Sequence, residues 1–526
     1  MDISKLSLEE KIGQMVMCGF SGHSRTNEIE TLIEKYHIGG VIYFSRNIDT
    51  LQQVYELSND LQRFNRDHSS IPLFVSIDQE GGMVARILDV TLIPGNMAIG
   101  ATDRDEFAYE AAKISGQELR ALGVNVNLAP CVDVNNNPAN PVIGVRSYGS
   151  HPQRVAALGE AQIKGYQQSN VVATAKHFPG HGDTSVDSHL DLPQVTHTMK
   201  RMHDVELLPF KRAVLAGVDA IMTAHVVFPA LEEKLPSTLS YKIITGLLKQ
   251  ELQFNGVVFT DCMEMKAISD YFGTANAAVK AVKAGVDVVL VSHTYDVQVE
   301  TIEKLKQAVL AGEITEERIN QSVQRILSLK EKRTLHDDTT NTWQQAQSTL
   351  KQRKHVEFVK QVREESITLI KGDLNKLILD KNKPVTVVYT GAVNQSEADE
   401  KINESATLGA CLQEAGYTVN EIEVPPNLSE EEVEEAVKKS RDAEQLLVCT
   451  YNASMFLNQQ KLVRQLHQSN PDLIVVGLRS PYDIQTFPEV SIFMTGYENR
   501  LGTLRAITDI LRGEKLPKGK LPVTLS

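Results

Sequence analysis

Eighteen residues, Lys176–Pro193 (KHFPGHGDTSVDSHLDLP), hold three histidines, three aspartates, one lysine and two glycines. Charge and imidazole at this density do not serve packing, because an unpaired buried charge is expensive. Several chemistries use these residue types. His177, His181, Asp183, Asp187, His189 and Asp191 are all metal-ligand types. However, Pro179 and Gly180 between His177 and His181 preclude the helical two-histidine face of a zinc hydrolase, so no metal site is assigned. Gly180 and Gly182 supply two of the three glycines of a dinucleotide fingerprint, and no P-loop lysine follows. Lys176 could form a Schiff base, but a carboxylate-rich loop keeps an amine charged, and a substrate-binding ammonium is the better reading.

Paired acids remain. Retaining glycosidic cleavage needs a carboxylate nucleophile and, about 5–5.5 Å away, a group that protonates the leaving oxygen. Asp261, in Val257-Val-Phe-Thr-Asp-Cys-Met-Glu-Met-Lys266, ends an apolar run as a nucleophile should; its bland alternative is a helix N-cap. Asp187-Ser-His189 sets an imidazole two residues from a carboxylate that can fix its tautomer and raise its pKa. An imidazolium near its ordinary ~6.5 is a competent acid and, after proton transfer, a competent base.

These groups need a scaffold that converges them. Short apolar runs recur at Met15–Phe20, Gly40–Phe44, Leu73–Ile77, Val124–Leu128, Val171–Ala175, Ala220–Met222, Gly256–Phe259 and Val286–Val291. Helical periodicity lies between most of them, as in Glu106–Leu122 and Asp204–Ala216. Eight near-continuous apolar strands separated by helices predict a TIM-like (β/α)8 barrel over residues 1–330, with a doubly wound open sheet as the alternative. Polar residues follow the strands: Asp78, Asp133, Lys176 with His177, Thr223 with His225, Asp261, and Ser292 with His293. In a barrel these positions share one rim.

Residues 331–356 read as a linker that contains Asp337-Asp-Thr-Thr-Asn341 and the sole tryptophan, Trp343. Residues 357–526 restart the alternation, with strands expected at Val385–Tyr389, Tyr417–Ile422, Gln445–Cys449, Leu473–Gly477 and Ser491–Thr495. They predict an αβα sandwich around a mainly parallel sheet. Ser7 with Glu10, and the acidic run from Ser429, read as capped helix starts.

The composition narrows the function. A net charge of −13 over 526 residues argues against a nucleic-acid partner. No apolar run reaches the ~18 residues of a membrane span. The five cysteines form no CxxC pair, and the start of the chain shows no signal peptide, so a reducing, cytoplasmic setting is expected.

The segment Lys176–Pro193 closely resembles the signature of glycoside hydrolase family 3, in its β-N-acetylhexosaminidase branch. Ile77-Asp-Gln-Glu-Gly-Gly82 with Arg86, Asn127-Leu-Ala-Pro-Cys-Val-Asp133, Arg146-Ser-Tyr-Gly149, Met222-Thr-Ala-His225, Asp261-Cys-Met-Glu-Met265 and Gly519-Lys-Leu-Pro-Val-Thr-Leu525 extend it. The resemblance implies release of terminal N-acetylglucosamine with retention, from muropeptides or chitooligosaccharides, without metal or organic cofactor. It implies Asp261 as nucleophile, His189 as acid/base and Asp187 as its partner. Asp78, Arg86, Arg146, Lys176 and His177, with His225 beside them, form the substrate-binding set. The glucosidase branch is expected to take its acid from the second domain; the Asp187–His189 pair removes that need. Met83 stands where relatives often carry arginine. Gly180 and Gly182 are expected to let the loop move. Alternatives are a phosphorylase or β-glucosidase of the same family, a lysine-dependent aldolase, and a non-catalytic sugar-binding protein.

Overall fold

The computed structural model describes residues 2–333, 335, 342–394, 399 and 406–525. The linker stretch Asp337–Asn341 lies outside the described residues. Eight parallel strands close into a barrel: β1 (Val16–Gly19), β2 (Gly40–Tyr43), β3 (Phe74–Ile77), β4 (Val126–Asn127), β5 (Val172–Phe178), β6 (Ala220–Thr223), β7 (Val257–Cys262) and β8 (Val288–Val291). Neighbours in space are neighbours in sequence, and β8 returns to β1 with Val16 opposite Val289 and Cys18 opposite Val291. Each strand is buried along most of its length because side chains fill the barrel inside and helices cover it outside. The alternative of an open sheet is therefore excluded.

Local signals place the helices. Ser7 and Glu10 form a reciprocal capping box at the start of Leu8–Gln14, which satisfies N–H groups the first turn leaves unpaired. The helices Asp105–Ala121 and Pro152–Gln168 lie against each other outside the wall.

The region read as a linker contains the capped helix Trp343–Thr349, whose Trp343 ring lies 5.6 Å from Tyr55 on the barrel. It is followed by Arg353–Ser366, where His355 Nδ1 sits 2.9 Å from Glu118. A second sheet contains β9 (Thr368–Lys371), β10 (Val385–Thr390), β11 (Val419–Val424), β12 (Gln445–Thr450), β13 (Ile474–Gly477) and β14 (Ile492–Thr495), in the order β9-β14-β13-β12-β10-β11. Only β9 runs antiparallel, against β14. It was absent from the expected strands because Ile367-Thr-Leu-Ile370 follows the helix directly, without a turn signal. Alternate residues pack on opposite faces: Val387, Leu447 and Val476 join one apolar cluster, and Val388, Val448 and Val475 another. The first of these clusters also takes in Met83, Met97 and Val145 from barrel loops. Met83 is thus buried against the second domain, at 3% exposure. Among the described residues, no helix is long and apolar enough to cross a membrane.

Candidate active site

The strand ends of the barrel converge on a cavity of about 540 Å³, within the usual size range of small-molecule sites. Asp78, Arg86, Arg146, Lys176, His177, His189 and Asp261 line it, along with His181, Phe44, Arg46, Glu264 and His293. Asp187 is bonded to His189, and His225 to the strand that carries Asp261.

One side is a buried charge cluster. Lys176 Nζ lies 2.6 Å from Asp78 Oδ1 and 2.8 Å from Glu80 Oε1. Arg146 grips Glu80 with two nitrogens, at 2.7 and 3.0 Å. Burial alone would raise the Glu80 carboxyl, yet Arg146 and Lys176 pull it well below the ordinary carboxylate range. Burial would likewise lower the Lys176 ammonium, and Asp78 and Glu80 hold it up instead. This charged state removes the neutral amine that a Schiff-base mechanism needs. Glu80 had no role in the sequence reading, although it lies two residues beyond Asp78, in the short strand Gln79–Gly81. Gln79, between them, is fixed on both sides: Asn127 Oδ1 accepts from its N–H at 3.0 Å and Asn127 Nδ2 donates to its carbonyl at 2.9 Å. The Gln79 amide oxygen accepts in turn from the Arg86 N–H at 2.9 Å, which positions Arg86 on the same wall.

His177 Nδ1 donates to Asp133 Oδ2 at 2.7 Å, which leaves Nε2 as acceptor toward Arg146 Nη2 at 3.4 Å. Asp133 also accepts from the His181 N–H at 2.7 Å and from the His177 N–H at 3.2 Å. Burial would raise its carboxyl, but the His177 imidazole and these donors bring it down to about 2. Cys131, Asp133 and His177 are grouped closely enough to hold a metal. The Asp133 oxygens are already engaged by the His177 ring, two N–H groups and the Cys131 thiol, so the donor set fits a filled hydrogen-bond network instead.

Asp261 is the penultimate residue of β7, with Oδ1 accepting from the Cys262 N–H at 2.8 Å. Burial opposes its charge, while His177, His225 and His189 favour it, and the balance lies below the ordinary carboxylate value. An ionised carboxylate on the cavity wall is what a nucleophile requires. The following segment is pinned from two sides. His225 Nε2 donates to the Cys262 carbonyl at 3.0 Å. Glu264 accepts from the His293 and Thr294 N–H groups at 2.6 and 3.0 Å. His225 therefore braces the strand that carries Asp261.

His189 Nδ1 donates to Asp187 Oδ1 at 2.7 Å, and the same oxygen accepts from the His189 N–H at 2.9 Å. Burial would raise the Asp187 carboxyl, and its bonds from His189 lower it. This arrangement directs Nε2 to proton exchange. The two glycines of the loop serve close approach: a Cβ on Gly182 would fall 1.8 Å from the Val134 carbonyl oxygen, and one on Gly180 2.9 Å from Glu206 Cβ. Asn140 and Asn137 hold the loop backbone at His181 and Thr184. The part open to solvent is the tip, where Leu190 is 63% exposed and Asp191 accepts from the Tyr271 hydroxyl.

The second domain reaches the cavity through Asn394 and Asp399, the latter's carboxylate gripped by Arg479 at 2.8 and 3.0 Å. Sequence reading missed both, since no local pattern links a loop of the second sheet to a barrel mouth.

The sequence matches the "Glycosyl hydrolase family 3 N terminal domain" over residues 7–329. The structure aligns with a glycoside hydrolase family 3 β-N-acetylglucosaminidase from Paenibacillus sp. str. FPU-7 at a TM-score of 0.95 and 47% identity, covering 99% of both chains. "Beta-hexosaminidase A" of Pseudoalteromonas piscicida is 32% identical over 95% of this chain and 91% of its own length. "Beta-hexosaminidase" of Xylella fastidiosa (strain M23) is 34% identical over 53% of this chain and 83% of its own length. With its family motifs gathered at one barrel mouth and this breadth of similarity, the chain belongs to glycoside hydrolase family 3.

Proposed function

We propose that the protein is a retaining, exo-acting β-N-acetylglucosaminidase. The observation that carries this reading is an ionised Asp261 on the cavity wall with the Asp187–His189 pair at the same mouth. Asp261 attacks the anomeric carbon as the glycosidic C–O bond breaks, and His189 Nε2–H protonates the departing oxygen. His189, now neutral, takes a proton from water, which attacks the glycosyl–Asp261 ester and restores both groups. Asp187 holds the imidazole tautomer throughout. Asp78, Arg146, Lys176 and His177 offer the mixture of donors and acceptors that sugar hydroxyls need. The Asp187–His189 pair supplies an acid from the barrel itself, and Asp399 of the second domain is held by Arg479. That favours the imidazole as acid, and with it an amino-sugar substrate from muropeptides or chitooligosaccharides.

The test is to incubate the enzyme with 4-nitrophenyl β-N-acetylglucosaminide, with and without phosphate, and identify the sugar. Free N-acetylglucosamine in both cases supports the reading. The sugar 1-phosphate would make the enzyme a phosphorylase. Turnover of the glucoside alone would move it to the glucosidase branch, and no turnover of either would favour a binding protein.

A further inference from the structure

The charge cluster at the sugar-holding side rests on a turn that is anchored from outside the barrel. Glu80-Gly81-Gly82 leaves the barrel rim with φ of +101° at Gly81 and +57° at Gly82. Gly81 ends a short strand, Gln79–Gly81, that pairs antiparallel with Val84–Ala85, and Gly82 opens the hairpin turn between them, a conformation L side chains adopt rarely. Its carbonyl at Gly82 accepts from two nitrogens of Arg500, at 3.1 and 2.9 Å. Arg500 is 2% exposed and belongs to the loop between β14 and the helix Leu501–Leu511 of the second domain. Glu498, two residues earlier, accepts from the Gly95 N–H at 3.0 Å, and Gly95 is packed against Gly82. Arg363 Nε at 2.9 Å and the Thr503 hydroxyl at 2.7 Å hold Glu498 in turn. The other partner of Glu80 is seated in the same way: Val145, adjacent to Arg146, shares an apolar cluster with Tyr497. A small void bounded by Glu80, Met83, Gly95, Arg146 and Tyr497 adjoins the ion pair.

We infer that Arg500 of the second domain is a positioning residue for sugar binding: by holding the Gly82 carbonyl it fixes Glu80, which in turn aims Lys176 and Arg146 into the cavity. The inference rests on the reading that this cavity holds the sugar through those two cations. It gives the second domain a role within the active site without placing any of its atoms on the reacting bond.

The experiment compares Arg500→Met, which keeps most of the stem and removes the donors, with Arg500→Lys, which restores one. Val475→Ala, a truncation in the core of the second sheet away from the turn, serves as the stability control. Arg500→Met should raise both KM for the aryl glycoside and Ki for the free sugar about tenfold, with kcat within about twofold of the parent. Arg500→Lys should fall between. Val475→Ala should lower Tm while leaving KM and Ki unchanged. A loss of Tm in Arg500→Met without a rise in KM and Ki would reduce Arg500 to a structural contact. A fall in kcat at unchanged KM would show that it does not act through sugar binding. If Arg500→Met does not fold, the same two constants for Arg500→Lys decide the question. The parent's preference between N-acetylglucosaminide and glucoside separately tests the activity, and the ratios can be read on whichever substrate it accepts.

Discussion

Asp133–His177 and Asp187–His189 are the same chemical unit at the same 2.7 Å contact, set in two different surroundings. Asp133 is fully enclosed, accepts from two backbone N–H groups as well as the imidazole, and His177 meets Arg146 on its far nitrogen. Asp187–His189 sits on the part of the loop closest to solvent, with the His189 side chain 18% exposed against 6% for His177. An imidazole engaged on both nitrogens deep inside the protein, as His177 is, is a fixed donor and acceptor; a more exposed one at a cavity mouth is better placed to exchange a proton. On the function proposed above, the surroundings of a histidine–carboxylate pair, more than the pair itself, separate a holding role from an acid/base role.

The sharpest tests act where both pairs exert their charge. Asp261→Asn should cut turnover on the order of 10⁴-fold or more for every substrate, with the circular dichroism spectrum unchanged. His189→Gln should separate the pairs by leaving group. Substrates with alkyl or sugar leaving groups should slow by about 10²–10³-fold, and 4-nitrophenyl glycosides by less than about tenfold, because a good leaving group needs little protonation. Equal losses on both would remove His189 from the acid role. His177→Gln should reduce kcat/KM by about 10–100-fold on both classes alike, because a lost sugar contact is indifferent to the aglycone. Asp133→Asn should also destabilise the fold by about 3–5 kcal/mol, since it unpairs buried donors; a thermal melt reads this directly.

The smallest effect is a pH dependence. His181, its ring 5.8 Å from that of His177, is pushed by burial to about 4 from an ordinary 6.5. Between those values the unfolded chain binds a proton that the folded chain does not, so this contribution to stability is lost as pH falls from 6.5 toward 4. Asp483 in the second domain has the opposite sign. Buried, and satisfied by the Thr450 hydroxyl and the Ser454 N–H, it is raised from 3.8 to about 6. Its protonated form favours the fold, so its contribution is present below 3.8 and lost as pH rises through 6. Hydrogen exchange at pH 7 and 5 should show protection falling around His177–Thr184 and holding or rising around β12 and Asp483. Asp483→Asn should abolish the pH response of the second region only.

Much of this molecule was legible in the chain. The eight barrel strands lie where apolar runs of strand length stand between helical stretches, because a parallel strand buried on both faces leaves no polar alternation to misread. That Asp261, Lys176, His177 and His189 meet at one barrel mouth was legible because strand ends there concentrate residue types that packing avoids. The strand Thr368–Lys371 was not, since only its antiparallel partner β14 distinguishes it from the end of a helix. His225 was expected near substrate on its position after β6; that its ring bonds the Cys262 carbonyl, on the strand that carries Asp261, is a matter of ring orientation that sequence does not carry.

The sequence by itself determined the barrel, its order and the reactive groups on its rim, since these follow from local periodicity and residue chemistry. Only the tertiary structure decided that Glu80 joins Lys176 to Arg146, that the loop glycines serve close approach, and that Arg500 reaches Gly82 across 418 positions of chain. Such contacts join residues whose separation in sequence carries no signal, and they exist only once two packed bodies bring a carbonyl and a guanidinium within hydrogen-bonding distance.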